Sequence, residues 1–103
     1  MNPDLGELAS SRRDGILEFR LSGEFDLSNA WKIRDALLDA IDSERAEIVV
    51  DLGAVRFMDA QLLRSLIRAR GRAAERGIKI RILAPRDPDV RRVAELIDFP
   101  LAA

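Results

Sequence analysis

The stretch from Ile48 to Leu63 constrains this chain most. Ile48, Val49, Val50 and Leu52, interrupted only by Asp51, make an apolar run of strand length, which suits a central strand covered on both faces. A second apolar pulse at Val55, Phe57 and Met58 is expected to carry the chain from a connecting loop back into the core. Asp59 then stands where a helix N-cap is wanted, ahead of Leu62, Leu63, Leu66 and Ile67 at helical spacing. Special chemistry is expected to gather at this strand-to-helix joint.

The remaining totals narrow that chemistry. A chain of 103 residues fits a single domain spanning 1–103 with one core of its own. Cysteine and histidine are both absent, which excludes disulfide frameworks, Cys or His zinc sites, cysteine nucleophiles and His-based triads. Carboxylate sites for magnesium or calcium stay formally open, yet no EF-hand spacing is present. With no nucleophile, ligand set or phosphate loop, neither catalysis nor a cofactor or metal is expected. No apolar run approaches the ~18 residues of a membrane span, and the polar N-terminus lacks a signal-peptide core. The expectation is a soluble cytoplasmic protein without direct membrane insertion.

The formal net charge of −1 hides a division. Residues 1–52 carry 6 Lys and Arg against 12 Asp and Glu, whereas residues 53–92 carry 11 against 4. Folding can interleave the two halves and erase that asymmetry in space. A nucleic-acid partner is not expected, because the balance is near neutral and no binding motif is present.

Taken in order, residues 5–12 read as a weak edge strand and Arg13-Asp14-Gly15 as a hairpin turn. Leu17, Phe19 and Leu21 then alternate with Glu18, Arg20 and Ser22, a strand with one polar face. After Gly23 to Leu27, Ser28 or Asn29 is expected to cap a helix with Ala30, Ile33, Leu37, Ala40 and Ile41 inward, widened by Trp31 and Leu38. That helix should end near Asp42–Arg45, before the strand 46–52. A second helix is expected from about Ala60 to Arg76, closed by Gly77, with Leu62/Leu63, Leu66/Ile67 and Ala73/Ala74 inward. Arg64, Arg68, Arg72 and Arg76 recur every four residues as a cationic row, a solvated face or a docking surface for an acidic partner. Residues 78–84 are expected to form a further strand. Asp87 and Pro88 start a third helix with Val90, Val93, Ala94 and Ile97 inward, ending at Asp98-Phe99-Pro100 ahead of the short tail 101–103.

The order β-β-α-β-α-β-α implies an α/β fold, a mixed and mostly parallel sheet of four to five strands with helices packed on it. In such sheets, functional groups collect beyond the C-terminal ends of the parallel strands. That edge would bring Asp26 near Asp59 and Gln61. The amides opening the second helix would favour an anion there by roughly 0.3–1 kcal/mol. A hydroxyl at residue 60 or 61 would be a sensible phosphorylation site, but the chain has Ala60 and Gln61.

Several stretches together resemble the STAS domain, the family of bacterial anti-sigma factor antagonists and sulphate-transporter C-termini. Leu21-Ser22-Gly23-Glu24-Phe25-Asp26-Leu27-Ser28-Asn29-Ala30 is similar to its corner, and Ile48 to Leu52 with Val55-Arg56-Phe57-Met58-Asp59 to its signature strand and loop. Gly77 to Leu83 and Pro88 to Phe99 fit the rest. The resemblance implies a small STAS-like domain acting in bacterial signalling and transcription regulation. In that family, antagonists bind a kinase-type anti-sigma factor, which phosphorylates a serine or threonine, and a phosphatase resets the switch. By resemblance, Asp26 and Asp59 match the acidic residues beside the acceptor, Gln61 falls at the acceptor, Ala60 at the serine before it, and Leu62 at the glycine after it. An amide cannot form the phosphoester, so Gln61 is a degenerate acceptor position, and Ser28 and Ser65 are the nearest hydroxyls.

The expected site is therefore a partner-binding surface of Asp26, Asp59, Ala60, Gln61, Leu62, Arg64 and Arg68, docking an anti-sigma factor or related serine kinase without phosphorylation at the usual place. One of Leu62 and Leu63 is expected nearer the helix flank. The alternative is a structural STAS subunit of an ABC-type lipid transporter or of a signalling scaffold. An N-terminal edge strand could also pair with its copy in a homodimer.

Overall fold

Asp14 and Gly15 both take positive φ, 52° and 78°, as a two-residue turn of the mirror-image type requires. They join β1 (Gly6–Arg13) to β2 (Ile16–Phe25), which pair antiparallel from Arg13 opposite Ile16 to Gly6 opposite Gly23. This computed structural model describes residues 6–43 and 47–96. Leu5, the segment 44–46, Ile97 and the tail 98–103, on which several expectations fell, lie outside the described residues.

The chain continues through α1 (Ala30–Ser43), β3 (Glu47–Met58), α2 (Ala60–Arg76), β4 (Ile80–Leu83) and α3 (Pro88–Leu96). The sheet has four strands in the order β1-β2-β3-β4, antiparallel between β1 and β2 and parallel elsewhere. Both crossovers step the same way across the sheet, so right-handed connections place α1 and α2 on one face. Leu17, Phe19 and Leu21 of β2, Ile48, Val50 and Leu52 of β3, and buried residues from all three helices form a single core there. The opposite face carries Glu18, Arg20, Val49, Asp51, Arg81 and Leu83, of which only Val49 is buried. The central strand is thus closed by apolar packing on one face rather than two, and Asp51 marks the other.

β3 runs on to Met58, where the sequence suggested a loop. Two irregularities explain the difference. Between Arg20 and Ser22, and again between Gly23 and Glu24, β3 uses one residue more than β2. Each extra residue breaks the alternation that marks a strand in sequence. Val55 and Met58 face the core, while Arg56 and Phe57 are both exposed between them.

Both ends of α2 and the start of α3 follow their expected residues. Asp59 caps α2, and Gly77, at φ 69°, closes it with its N–H and that of Ile78 bonded to the carbonyls of Ala74 and Ala73. Asp87 accepts the N–H groups of Asp89 and Val90 to open α3 behind Pro88. Leu62, Leu63, Leu66, Ala69 and Ala73 form the buried stripe of α2. Ile67 falls one position outside it and Val93 lies off the Val90/Ala94 stripe, so both are exposed instead of inward. The last strand is shorter than expected, 80–83, with Ile78 still packed on the core.

Candidate functional site

β2 and β3 end side by side, with Phe25 opposite Met58. The next residues are Asp26 and Asp59, and the Asp59 N–H donates to the Phe25 carbonyl at 3.1 Å, which ties the two strand-to-helix joints together. The expected neighbourhood of Asp26, Asp59 and Gln61 is therefore formed. Each aspartate turns back on its own joint. Asp26 Oδ1 accepts the N–H of Ser28 at 2.8 Å, and Asp59 Oδ1 accepts the N–H of Gln61 at 2.9 Å. These are the groups a helix start leaves unpaired.

The first joint carries two further bonds. The Ser28 hydroxyl donates to the Asp26 carboxylate. Asn29, only 5% exposed, accepts the Asp26 N–H through Oδ1 and donates from Nδ2 to the Glu24 carbonyl, both at 2.9 Å. Capping by the side chain of Ser28 or Asn29 was the expectation; instead Asp26 organises the turn, its carbonyl accepting from Ala30, and Asn29 staples the corner beneath it. Gly6 lies so close that a β-carbon there would stand 2.5 Å from the Glu24 carbonyl oxygen and 2.7 Å from Asn29 Nδ2. Only glycine admits that approach.

Three large apolar side chains are exposed around the joints. Leu27 is 73% exposed, Trp31 49% and Phe57 47%. Trp31 was expected to widen the inner stripe of α1 and Phe57 to enter the core. The Trp31 indole N–H instead donates to the Ser28 carbonyl at 3.0 Å, holding the ring outside the first turn. Lys32 Nζ stands 6.0 Å from the ring centroid. Phe57 is turned out by the second irregularity of β3, beside Arg56, which reaches Glu24 at 3.8 Å. The sequence signal for Phe57 is the pair Arg56-Phe57 between inward Val55 and Met58, which period-two alternation cannot place.

On α2, Ala60 is exposed and Gln61 half-buried. Leu62 has no exposure and Leu63 3%, so neither lies at the flank, and Leu62 offers no surface to a partner. It falls on the same stripe as Leu66, Ala69 and Ala73. Ser65 is buried, its hydroxyl donating to the Gln61 carbonyl at 2.9 Å.

The arginine row divides. Arg72 forms a fork on Asp42 of α1, Nε to Oδ1 at 3.0 Å and a terminal nitrogen to Oδ2 at 3.1 Å, and Arg76 adds a contact at 3.3 Å. The Arg72 hydrogen bond and charge, with Arg76, hold the Asp42 carboxyl below its ordinary pKa, and Asp42 in turn raises that of Arg72. A lowered carboxyl pKa stabilises the fold above the unfolded aspartate value, and this contribution is lost as pH falls through the folded one. Both groups are open to solvent, so the effect is small. Arg64 and Arg68, nearer the joint, are exposed and make no ion pair among the described residues. No three acidic side chains among the described residues converge to hold a metal ion. Among the described residues, no helix is long and apolar enough to cross a membrane.

The family profile described as "Mlab, STAS domain" matches residues 9–100. The chain belongs to the STAS domain family. An anti-sigma factor antagonist from Mycobacterium paratuberculosis is 27% identical to this STAS domain, with a TM-score of 0.82 over 97% of this chain and 87% of that one. Bacillus SpoIIAA, an anti-sigma factor antagonist, in its unphosphorylated form is 20% identical, with a TM-score of 0.79 over 90% of this chain and 82% of its own. The murine anion transporter Slc26a9 contains a segment of the same fold, 13% identical at a TM-score of 0.64, covering 88% of this chain and 18% of the transporter. The last two likenesses speak for the fold alone. A comparison with curated proteins finds no match.

Proposed function

We propose that this STAS domain is a non-catalytic regulatory binding module of the cytoplasm whose docking surface is the pair of joints. Asp26, Asp59, Ala60 and Gln61 form its centre, Arg64 and Arg68 its basic flank, and Leu27, Trp31 and Phe57 its apolar rim. Leu62 supports the surface from below. The partner is a protein, an anti-sigma factor or related serine kinase, in keeping with what the mycobacterial relative is named for. The observation that carries this reading is the exposure of Leu27, Trp31 and Phe57 around the joints. Grouped exposed apolar side chains mark interaction surfaces, and Trp and Arg are the residues that most often dominate them.

Gln61 occupies the acceptor position of the family's switch and has no hydroxyl, so docking is not turned off by phosphorylation there. A neutral amide resembles the unmodified state, which makes the module constitutively competent. Affinity capture from the native cell with the wild type and with Trp31→Ala/Phe57→Ala tests the surface. Recovery of a kinase-like anti-sigma factor by the wild type, with at least a tenfold loss in the variant, is the expected result. Equal recovery by both would refute the surface. A second reading rests on the same missing hydroxyl: a fixed subunit of an ABC-type lipid transporter or a signalling scaffold needs no switch. Recovery of an ATPase subunit instead of a kinase would decide for it.

A further inference from the structure

The two margins of the sheet are unlike. β4 is four residues long and carries Arg81 outward, a short edge of the kind that resists pairing. β1 is eight residues long, pairs only with β2 among the described residues, and has seven exposed residues. It holds its register without interruption, contains no proline, and has no charge between Leu8 and Ser11. Such an edge presents a row of outward N–H and C=O groups to any extended strand.

We propose that this edge pairs antiparallel with β1 of a second copy of the chain, across a two-fold axis at Ser10, to make one eight-stranded sheet. The proposal is independent of the docking surface at the joints. A two-fold axis normal to the sheet keeps each face on its own side, so directly opposed residues must share a face. Glu7, Ala9, Ser11 and Arg13 share one, opposite Ser22, Arg20, Glu18 and Ile16 of β2. A two-residue hairpin closes on a hydrogen-bonded pair, here Arg13 and Ile16, so the alternate residues Leu8 and Ser10 turn their backbone groups outward.

With the axis at Ser10, that residue exchanges hydrogen bonds with its own copy. Ala9 then faces Ser11, and Glu7 faces Arg13, once at each end of the pairing. Glu7 and Arg13 are exposed and make no ion pair among the described residues, so both are available to the second copy. Moving the axis to Ala9 sets Glu7 against Ser11 and leaves Arg13 beyond the last described residue of the opposing strand. The charge pattern of β1 is thus self-complementary in one register that the pleat allows. Opposite charges across a strand pair favour it, and like charges oppose it.

Sedimentation of the full chain over a wide concentration range tests this. A reversible monomer–dimer equilibrium is expected. Glu7→Arg and Arg13→Glu should each weaken it about tenfold by placing like charges at both ends, and the double swap should return it to within about threefold of wild type. Ser10→Pro, which removes the central outward N–H, should leave a folded monomer by circular dichroism. A wild type that stays monomeric throughout, or a dimer indifferent to both single swaps, would overturn the proposal.

Discussion

Counted from Asp26 and from Asp59, the joints after β2 and β3 run in step. The next residue, Leu27 or Ala60, is exposed. The second, Ser28 or Gln61, gives its N–H to the aspartate. The third, Asn29 or Leu62, and the fourth, Ala30 or Leu63, are buried. The helix itself begins at the fourth position in the first joint and at the first position in the second, and the side-chain chemistry differs as well. At the third position the first joint buries an amide that satisfies Asp26 N–H and the Glu24 carbonyl, whereas the second buries a leucine. The second joint needs no such amide, because its Asp59 N–H finds the Phe25 carbonyl on the neighbouring strand. At the second position the first joint keeps a hydroxyl on its aspartate and the second does not. A shared backbone plan therefore fixes where an aspartate and an N–H meet, and the side chain at the second position alone decides whether a hydroxyl is held there.

The largest expected effect lies at the third positions. Leu62→Ala should lower unfolding free energy by about 3–4 kcal/mol in urea titrations, since the stripe around it cannot collapse into the space left. Asn29→Ala should lose about 2–3 kcal/mol by stranding two backbone groups. Asn29→Leu, which copies the second joint into the first, should destabilise by a similar amount. A stabilising outcome would mean the corner does not depend on the amide. Next come the caps: Asp59→Ala is expected to lose about 1 kcal/mol, and Asp26→Ala somewhat more because the Ser28 hydroxyl loses its acceptor as well. Smallest is Gln61→Ser, within about 0.5 kcal/mol of wild type. A crystal structure of that variant should show the new hydroxyl donating to Asp59 as Ser28 does to Asp26. A serine turned to solvent would break the parallel.

Much of the scaffold was legible in the sequence because it is set locally. Asp59, Asp87 and Gly77 announce helix ends whatever surrounds them, and the alternation from Leu17 to Leu21 survives in β2. The neighbourhood of Asp26 and Asp59 at the ends of adjacent strands followed from topology. Leu27 and Phe57 were harder, since their exposure depends on the β2–β3 register, where two extra residues in β3 shift the faces without any composition signal. Trp31 reads as core by hydropathy, but it lies off the buried stripe of α1 with its N–H bonded to the Ser28 carbonyl. Asn29 has an ordinary capping look and acquires its corner role from tertiary contacts with Glu24 and Gly6. The burial of Leu62 turned on a rotation of α2 by one position, below what the leucine pattern resolves.

Titration calorimetry with the captured kinase-type anti-sigma factor, run with and without ATP on the wild type and on Gln61→Ser, tests the central claim most directly. The wild type is expected to bind with the same affinity in both conditions, while Gln61→Ser takes up phosphate and loses affinity when ATP is present. Loss of wild-type binding on addition of ATP, with phosphate found on Ser28 or elsewhere in the chain, would contradict it.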